Sequence, residues 1–165
     1  MIVRPAGEAD LPSLLLIYND AVLNSTAIWN DTPADLANRA AWLTDRRARG
    51  YPVLVAEAEG AVLGYASFGD FRPFEGFRIS VEHSVYVAGA ARGRGVGRAL
   101  VEALLAPARA LGKKVMIGGI TAGNAASLAL HARLGFVETG RLPGIGTKFG
   151  QRLDLVFVQK ELDEG

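Results

Sequence analysis

Residues 92–98, RGRGVGR, lie between a short apolar run and a segment with helical spacing. Positions without side chains let backbone N–H groups approach an anion at a helix N-terminus, so the loop reads as a phosphate cradle. Spacing excludes two familiar phosphate loops. No Gly-Lys-Ser or Gly-Lys-Thr exists in the chain to make a Walker loop. A dinucleotide fingerprint started at Gly93 puts Arg98 where its third glycine belongs, and one started at Gly95 puts Leu100 there. What remains is R-x-x-G-x-G from Arg92 to Gly97, with Arg94 and Arg98 as further cations and Val96 as the residue that anchors the loop in the core.

Just upstream, SVEHSVYV alternates as a strand, with Glu82, Ser84 and Tyr86 on one face and His83, Val85 and Val87 on the other. Glu82 can take a proton from an amine directly or through water if burial raises its affinity, and His83 is the competing base. Downstream, Asn124, Ser127, Leu128 and His131 fall at i, i+3, i+4 and i+7, one helix face that offers amide and hydroxyl groups. Asn124 also reads as the cap of that helix. The segment FRPFEGFR, residues 71–78, has the chemistry to hold a zwitterion. Arg72 or Arg78 suits a carboxylate, Glu75 an ammonium group, and Phe74 and Phe77 flank Gly76 as walls. The other reading of that segment is a surface loop whose charges pair with each other. Trp29 and Trp42 read as core or cleft-wall residues.

The Arg92–Gly97 pattern resembles the acetyl-CoA pyrophosphate loop of the GCN5-related N-acetyltransferases. NAASLALHARLGF supplies that family's second element, with Asn124, Ser127, Gly135 and Phe136 at matching positions. IYNDAVLNSTAIWNDTPADLANRAAWL, GYASFGDFRPFEGFR, VEHSVYV and GTKFGQRLDLVFVQKEL extend the likeness over nearly the whole chain. They resemble the phosphinothricin, methionine sulfone and methionine sulfoximine acetyltransferase branch. The resemblance implies acetyl transfer from acetyl-CoA to the α-amino group of a small amino acid, in a ternary complex and without a metal. It implies catalytic roles for Glu82 and for His131, the latter standing where many members have a tyrosine that protonates the thiolate. It places acetyl-CoA on Val85, Tyr86, Val87, the 92–98 loop, Asn124 and Ser127, and the substrate on residues 72, 74–78 and 82–84. It also implies a homodimer in which Lys148 and Phe149 reach a neighbouring site. Three other readings stay open: transfer to a polyamine or protein N-terminus, a non-catalytic acyl-CoA sensor, and a nucleic-acid module using Arg92, Arg94 and Arg98.

Composition limits the field further. Eighteen Lys plus Arg against seventeen Asp plus Glu leave a formal charge of +1, which gives no global attraction to nucleic acid or an anionic membrane. The arginines of the loop are not interleaved with aromatics that would stack on bases. Zero cysteines exclude disulfides, thiolate metal sites and a cysteine nucleophile. No apolar run is long enough to span a membrane, and MIVRPAGEADLPSLLLIYND does not read as a leader, so the expectation is a cytoplasmic chain forming a single domain over 1–165.

The elements that must position these residues alternate. IVR reads as a strand, and Leu11, Leu14, Leu15, Tyr18 and Val22 as a helix stripe begun at Asp10-Pro12. Thr32, Pro33 and Asp35 predict a second helix over 33–49. Two runs joined at Glu59-Gly60 predict a hairpin. After the 79–87 strand, Val101, Leu104, Leu105, Ala108 and Leu111 mark a helix in which Pro107 predicts a kink or early stop. A strand at KVMIGGI, the 124–134 helix and strands near 136–142 and 153–161 follow. The expectation is an α/β fold, in family terms the GNAT fold, with a mixed central sheet of about seven strands flanked by about four helices.

Overall fold

The structure is a computed structural model that describes residues 1–162; the last three positions of the expected 1–165 domain lie outside the described residues. Seven strands form one sheet: β1 (Ile2–Pro5), β2 (Val53–Ala58), β3 (Ala61–Asp70), β4 (Ser80–Val87), β5 (Val115–Thr121), β6 (Val137–Lys148) and β7 (Gln151–Glu161). Four α-helices accompany it: α1 (Leu11–Asn24), α2 (Leu36–Ala48), α3 (Val96–Ala110) and α4 (Ala125–Arg133). The sheet order is β1-β2-β3-β4-β5-β7-β6, antiparallel throughout except for the β4–β5 pair. This is the mixed-sheet α/β fold the sequence predicts.

The period of two along the central strands sorts side chains onto two buried faces. Leu54, Ala56, Ala66, Phe68 and Val81 meet Val96, Leu100, Val101, Leu104 and Ala108 of α3. Val53, Val55 and Tyr65 meet Leu11, Leu14 and Ile17 of α1 and Leu43 of α2. Each fully buried leucine of this set contributes roughly 1.5–3 kcal/mol by leaving water. The α1 stripe therefore runs through Ile17 rather than Tyr18, whose ring instead lies 4.0 Å beneath the Arg39 guanidinium. On α3, Leu111 falls outside the stripe and is exposed.

Local chemistry explains the boundaries. Glu59 and Gly60 both adopt left-handed φ, 53° and 78°, the twist that joins β2 to β3 in the expected tight hairpin. The second helix begins at Leu36 rather than 33. Asn19 accepts from Ala34 N at 2.8 Å and donates to Ala34 O at 3.0 Å, which holds that residue out of a helix, and Asp35 becomes the cap for Asn38 N. Pro107 does not end α3, which runs on to Ala110. The proline sits one turn from the C-terminus, and Leu111 N still bonds to its carbonyl at 3.1 Å. The final strands exceed expectation because β6 resumes pairing after a bulge between Leu142 and Gly146. There Gly144 N donates to Asp154 Oδ1 at 2.6 Å. Residues 144–148, beyond the strand expected near 136–142, are thus part of β6.

Candidate active site

The parallel strands β4 and β5 pair only at Ser80–Val115, Val81–Met116 and Glu82–Ile117. Beyond that point they diverge, leaving a groove between residues 83–86 of β4 and 118–121 of β5, closed at one side by Asn124, Ser127 and His131. Unpaired strand edges offer N–H and C=O groups to an extended chain that carries amides, as an added strand would. Val85 and Val87 lie on this edge. Tyr86 contributes backbone only, because its ring points to the other face and packs 5.4 Å from Tyr65.

The glycine loop stands at the mouth of the groove. Gly93 and Gly95 adopt φ of +76° and +79°, a left-handed conformation that favours glycine. Val96 is buried, as expected of an anchor, so the first turn of α3 presents free N–H groups next to the loop. A Cβ at Gly97 would lie 3.2 Å from Leu130 and 3.6 Å from Val87, so glycine there lets α3 approach α4 and the strand. Arg92, Arg94 and Arg98 are all exposed. Arg92 reaches toward Asp20 at 3.8 Å, and Arg98 pairs with Glu102 at 3.0 Å along the helix. Free backbone donors, a helix N-terminus and exposed cations suit a pyrophosphate, and the adjacent groove suits its amide-bearing arm.

Two groups with acid–base chemistry sit on opposite faces of β4, and paired glycines on β5 make room for both. A Cβ at Gly119 would lie 3.2 Å from Glu82 Oε2, and one at Gly118 would lie 2.9 Å from His83 Cε1. Burial pushes the Glu82 carboxyl up from its ordinary value, while the positive charges of Arg46 and Arg72 pull it back. Arg46 itself lies against Gly69, which faces Glu82 across β3 and β4, and its Nη1 is buried with no hydrogen-bond partner among the described residues. His83 is turned away from Glu82 and buried. Its Nδ1–H donates to Ile117 O at 3.1 Å, and its Nε2 lies 2.8 Å from Nε2 of His131. His131 is also buried, and its Nδ1–H donates to Ser127 O at 2.7 Å. Asn124 accepts from Ser127 N at 3.1 Å, so it caps α4 and also lines the groove.

The 72–78 segment is exposed throughout. Phe77 packs edge-on to Phe71 at 5.8 Å, and Phe71 to Phe157 at 6.0 Å, a row of rings that lines an apolar recess beside Ile117. Arg78 Nη1 donates to Glu75 O at 2.8 Å and so folds back on its own loop. Arg72 lies with its guanidinium 5.4 Å from the Phe71 ring, close enough to influence Glu82. Phe74, Glu75 and Gly76 stand at the rim. Three placements sharpen the sequence reading. His83 belongs with His131, not with the 72–78 loop or the amine side of β4. His131 lines the groove beside Asn124 and Ser127, as their shared helix face predicts, and in addition meets the His83 ring. Lys148 is buried and bonds to Ala21 O at 3.4 Å and to Ile28 O, so its ammonium is committed within its own chain, leaving only Phe149 exposed at the hairpin tip.

Sequence reasoning missed Gly118 and Gly119, although two glycines inside a strand signal close approach. It missed Arg46, which no local pattern marks. Trp29 is a cleft wall: its Nε1–H is shared between Thr26 O and Thr121 Oγ1, both at 2.9 Å. Trp42 packs 5.8 Å from Tyr65 in the core.

Known proteins match this arrangement. The acetyltransferase (GNAT) family model matches residues 14–136. An L-methionine sulfoximine/L-methionine sulfone acetyltransferase of Pseudomonas aeruginosa is 60% identical over 98% of this chain and 94% of its own. The crystal structure of a ribosomal-protein-alanine N-acetyltransferase from Brucella melitensis superposes with a TM-score of 0.97 at 60% identity, covering 98% of this chain and 100% of that one. A phosphinothricin acetyltransferase from Sinorhizobium meliloti, in complex with acetyl-CoA, superposes with a TM-score of 0.95 at 41% identity, over 99% and 89%.

Proposed function

The chain belongs to the GNAT acetyltransferase family, and from that premise we propose that it transfers acetyl from acetyl-CoA to the α-amino group of a small amino acid such as methionine sulfone, methionine sulfoximine or phosphinothricin. The observation that carries this reading is the divergence of β4 from β5 with Glu82 on one face of the split and His131 on the other. Acetyl-CoA lies with its pyrophosphate on the 92–98 loop and its arm along Val85 and Val87, which brings the thioester to the split. The amino acid enters from the opposite face, its carboxylate toward Arg72 and its side chain toward the Phe71, Phe77 and Phe157 recess. Glu82 takes the ammonium proton, the amine attacks the thioester carbonyl, and His131 protonates the departing thiolate. No step requires a metal. The reaction belongs where acetyl-CoA is made, in the cytoplasm, and removes the free amine of a toxic analogue. The working unit is a homodimer of single-domain chains.

Thiol release from acetyl-CoA tests the acceptor. Methionine sulfone and methionine sulfoximine are expected to drive it at a higher kcat/KM than phosphinothricin, a polyamine or a peptide with N-terminal alanine. The peptide reading follows the Brucella structure, a ribosomal-protein-alanine N-acetyltransferase. A peptide preferred over every free amino acid would replace the small-molecule assignment. Tight acetyl-CoA binding with no amine-dependent release would make the chain a sensor.

A further inference from the structure

The two histidines of this chain lie ring against ring, and their hydrogen bonds do not balance for a neutral pair. Carbonyl oxygens carry no proton, so the bonds from His83 to Ile117 O and, at 2.7 Å, from His131 to Ser127 O each require a hydrogen on Nδ1; the Ser127 hydroxyl, 3.4 Å from the same His131 Nδ1, is the longer and weaker partner. A neutral imidazole with Nδ1–H has a bare lone pair on Nε2. Two such lone pairs would face each other at 2.8 Å, a contact that is repulsive unless a proton lies between them.

We propose that His83 and His131 share one additional proton between their Nε2 atoms, and that this is the proton passed to the leaving thiolate, with His83 the positioning residue that holds it in place. The role in transfer rests on the acetyltransferase reading; the shared proton rests on geometry alone. His131 lies in the last turn of α4, whose negative end favours a cation. Burial lowers the proton affinity of both rings, His83 down to about 3, with the charge on His131 adding to the effect. Burial and mutual repulsion therefore exclude two charged rings, so the pair takes up at most one proton. The surrounding groups, Gly118 of β5, Val158 of β7 and Phe136 after α4, do not titrate, and Glu82 lies on the opposite face of β4.

The proton count closes. The substrate ammonium gives one proton to Glu82, the N–C bond forms, and the C–S bond breaks. The sulfur takes the shared proton, leaving the pair neutral. The new amide nitrogen loses its second proton by way of Glu82 to solvent, and the pair regains one from solvent. Each acetyl transferred thus releases one proton overall.

Because the chain has only two histidines, ¹⁵N labelling of imidazole reports on these two rings alone. In the intact protein, on the acid side of the pair's lowered proton affinity, both Nδ1 atoms are expected to be protonated. The two Nε2 signals should lie between the protonated and bare positions, with a coupling across the bond. A bare Nδ1 on either ring, or two uncoupled rings, overturns the shared proton. His83→Gln keeps a donor toward His131 but cannot hold a proton. Its kcat is expected to fall roughly 10²-fold with acetyl-CoA affinity retained, and to lose the decline that the wild type shows as pH rises through the pair's lowered proton affinity. An unchanged kcat and pH profile in a variant that still binds acetyl-CoA overturns the transfer role. A wild type that acetylates no amine would instead sink the acetyltransferase reading, while the labelled spectra still decide the proton.

Discussion

Glu82 works between opposing influences. Burial raises its proton affinity toward that of a useful base, while Arg46 and Arg72 keep the carboxylate form accessible. Glu82→Gln is expected to lower kcat by roughly 10²- to 10⁴-fold and leave acetyl-CoA affinity unchanged, since the carboxylate lies on the other face of the strand from the glycine loop. Stopped-flow thiol release and calorimetry separate the two, and an undiminished rate removes Glu82 as base. Arg46 tunes the same group. Its positive charge favours ionised Glu82, so Arg46→Met should raise the carboxyl's proton affinity further. Activity that disappears as pH falls through that affinity will then disappear at a higher pH than in the wild type. A kcat/KM profile with an unmoved acid limb would contradict the coupling. The alternation EHSVYV was enough to separate Glu82 from His83. That His83 meets His131 was hidden, because the contact spans 48 positions and depends on how α4 lies over the sheet.

At the scale of elements, β5 decides how closely these groups can assemble. A Cβ at Gly118 would lie 2.9 Å from the buried His83 ring and 3.2 Å from Val158, so one of them must shift. Gly118→Ala is expected to destabilise the fold by about 1–3 kcal/mol and to lower kcat with it. Thermal unfolding and turnover check the pair of effects; a variant as stable and active as wild type would show that the ring moves freely. Most elements were legible because their signals are local: the Glu59-Gly60 turn, the apolar stripes and the Asn124 cap. The errors have local signals overruled by distant bonds. Asn19 overrides the Thr32-Pro33 start of α2, and Asp154 lets β6 pass through Pro143 and Gly144.

The whole molecule leaves one long edge. β6 is the terminal strand of the sheet, 12 residues long and mostly exposed, and it carries Val137, Leu142 and Ile145, with Phe149 at its tip, open to solvent. An exposed apolar edge of this length invites pairing with another chain unless something covers it. At the other end of the sheet β1 has only four residues, half of them exposed, and offers much less. The strand order that puts β7 inside and β6 outside could not be read from the sequence, since it depends on β7 inserting between β5 and β6. With Lys148 held by the carbonyls of Ala21 and Ile28, the hairpin is fixed to the α1 side of its own chain and presents β6 as a rigid surface. A second copy of this chain is the occupant we expect. Light scattering should give twice the chain mass for the wild type. Ile145→Lys, which places a charge on the exposed edge without touching the core, should shift the equilibrium toward monomer. If the monomer retains kcat but loses affinity for the amino acid, the partner's Phe149 end helps to close the substrate recess. A wild type that is monomeric at all concentrations would remove the dimer and leave each site complete on its own.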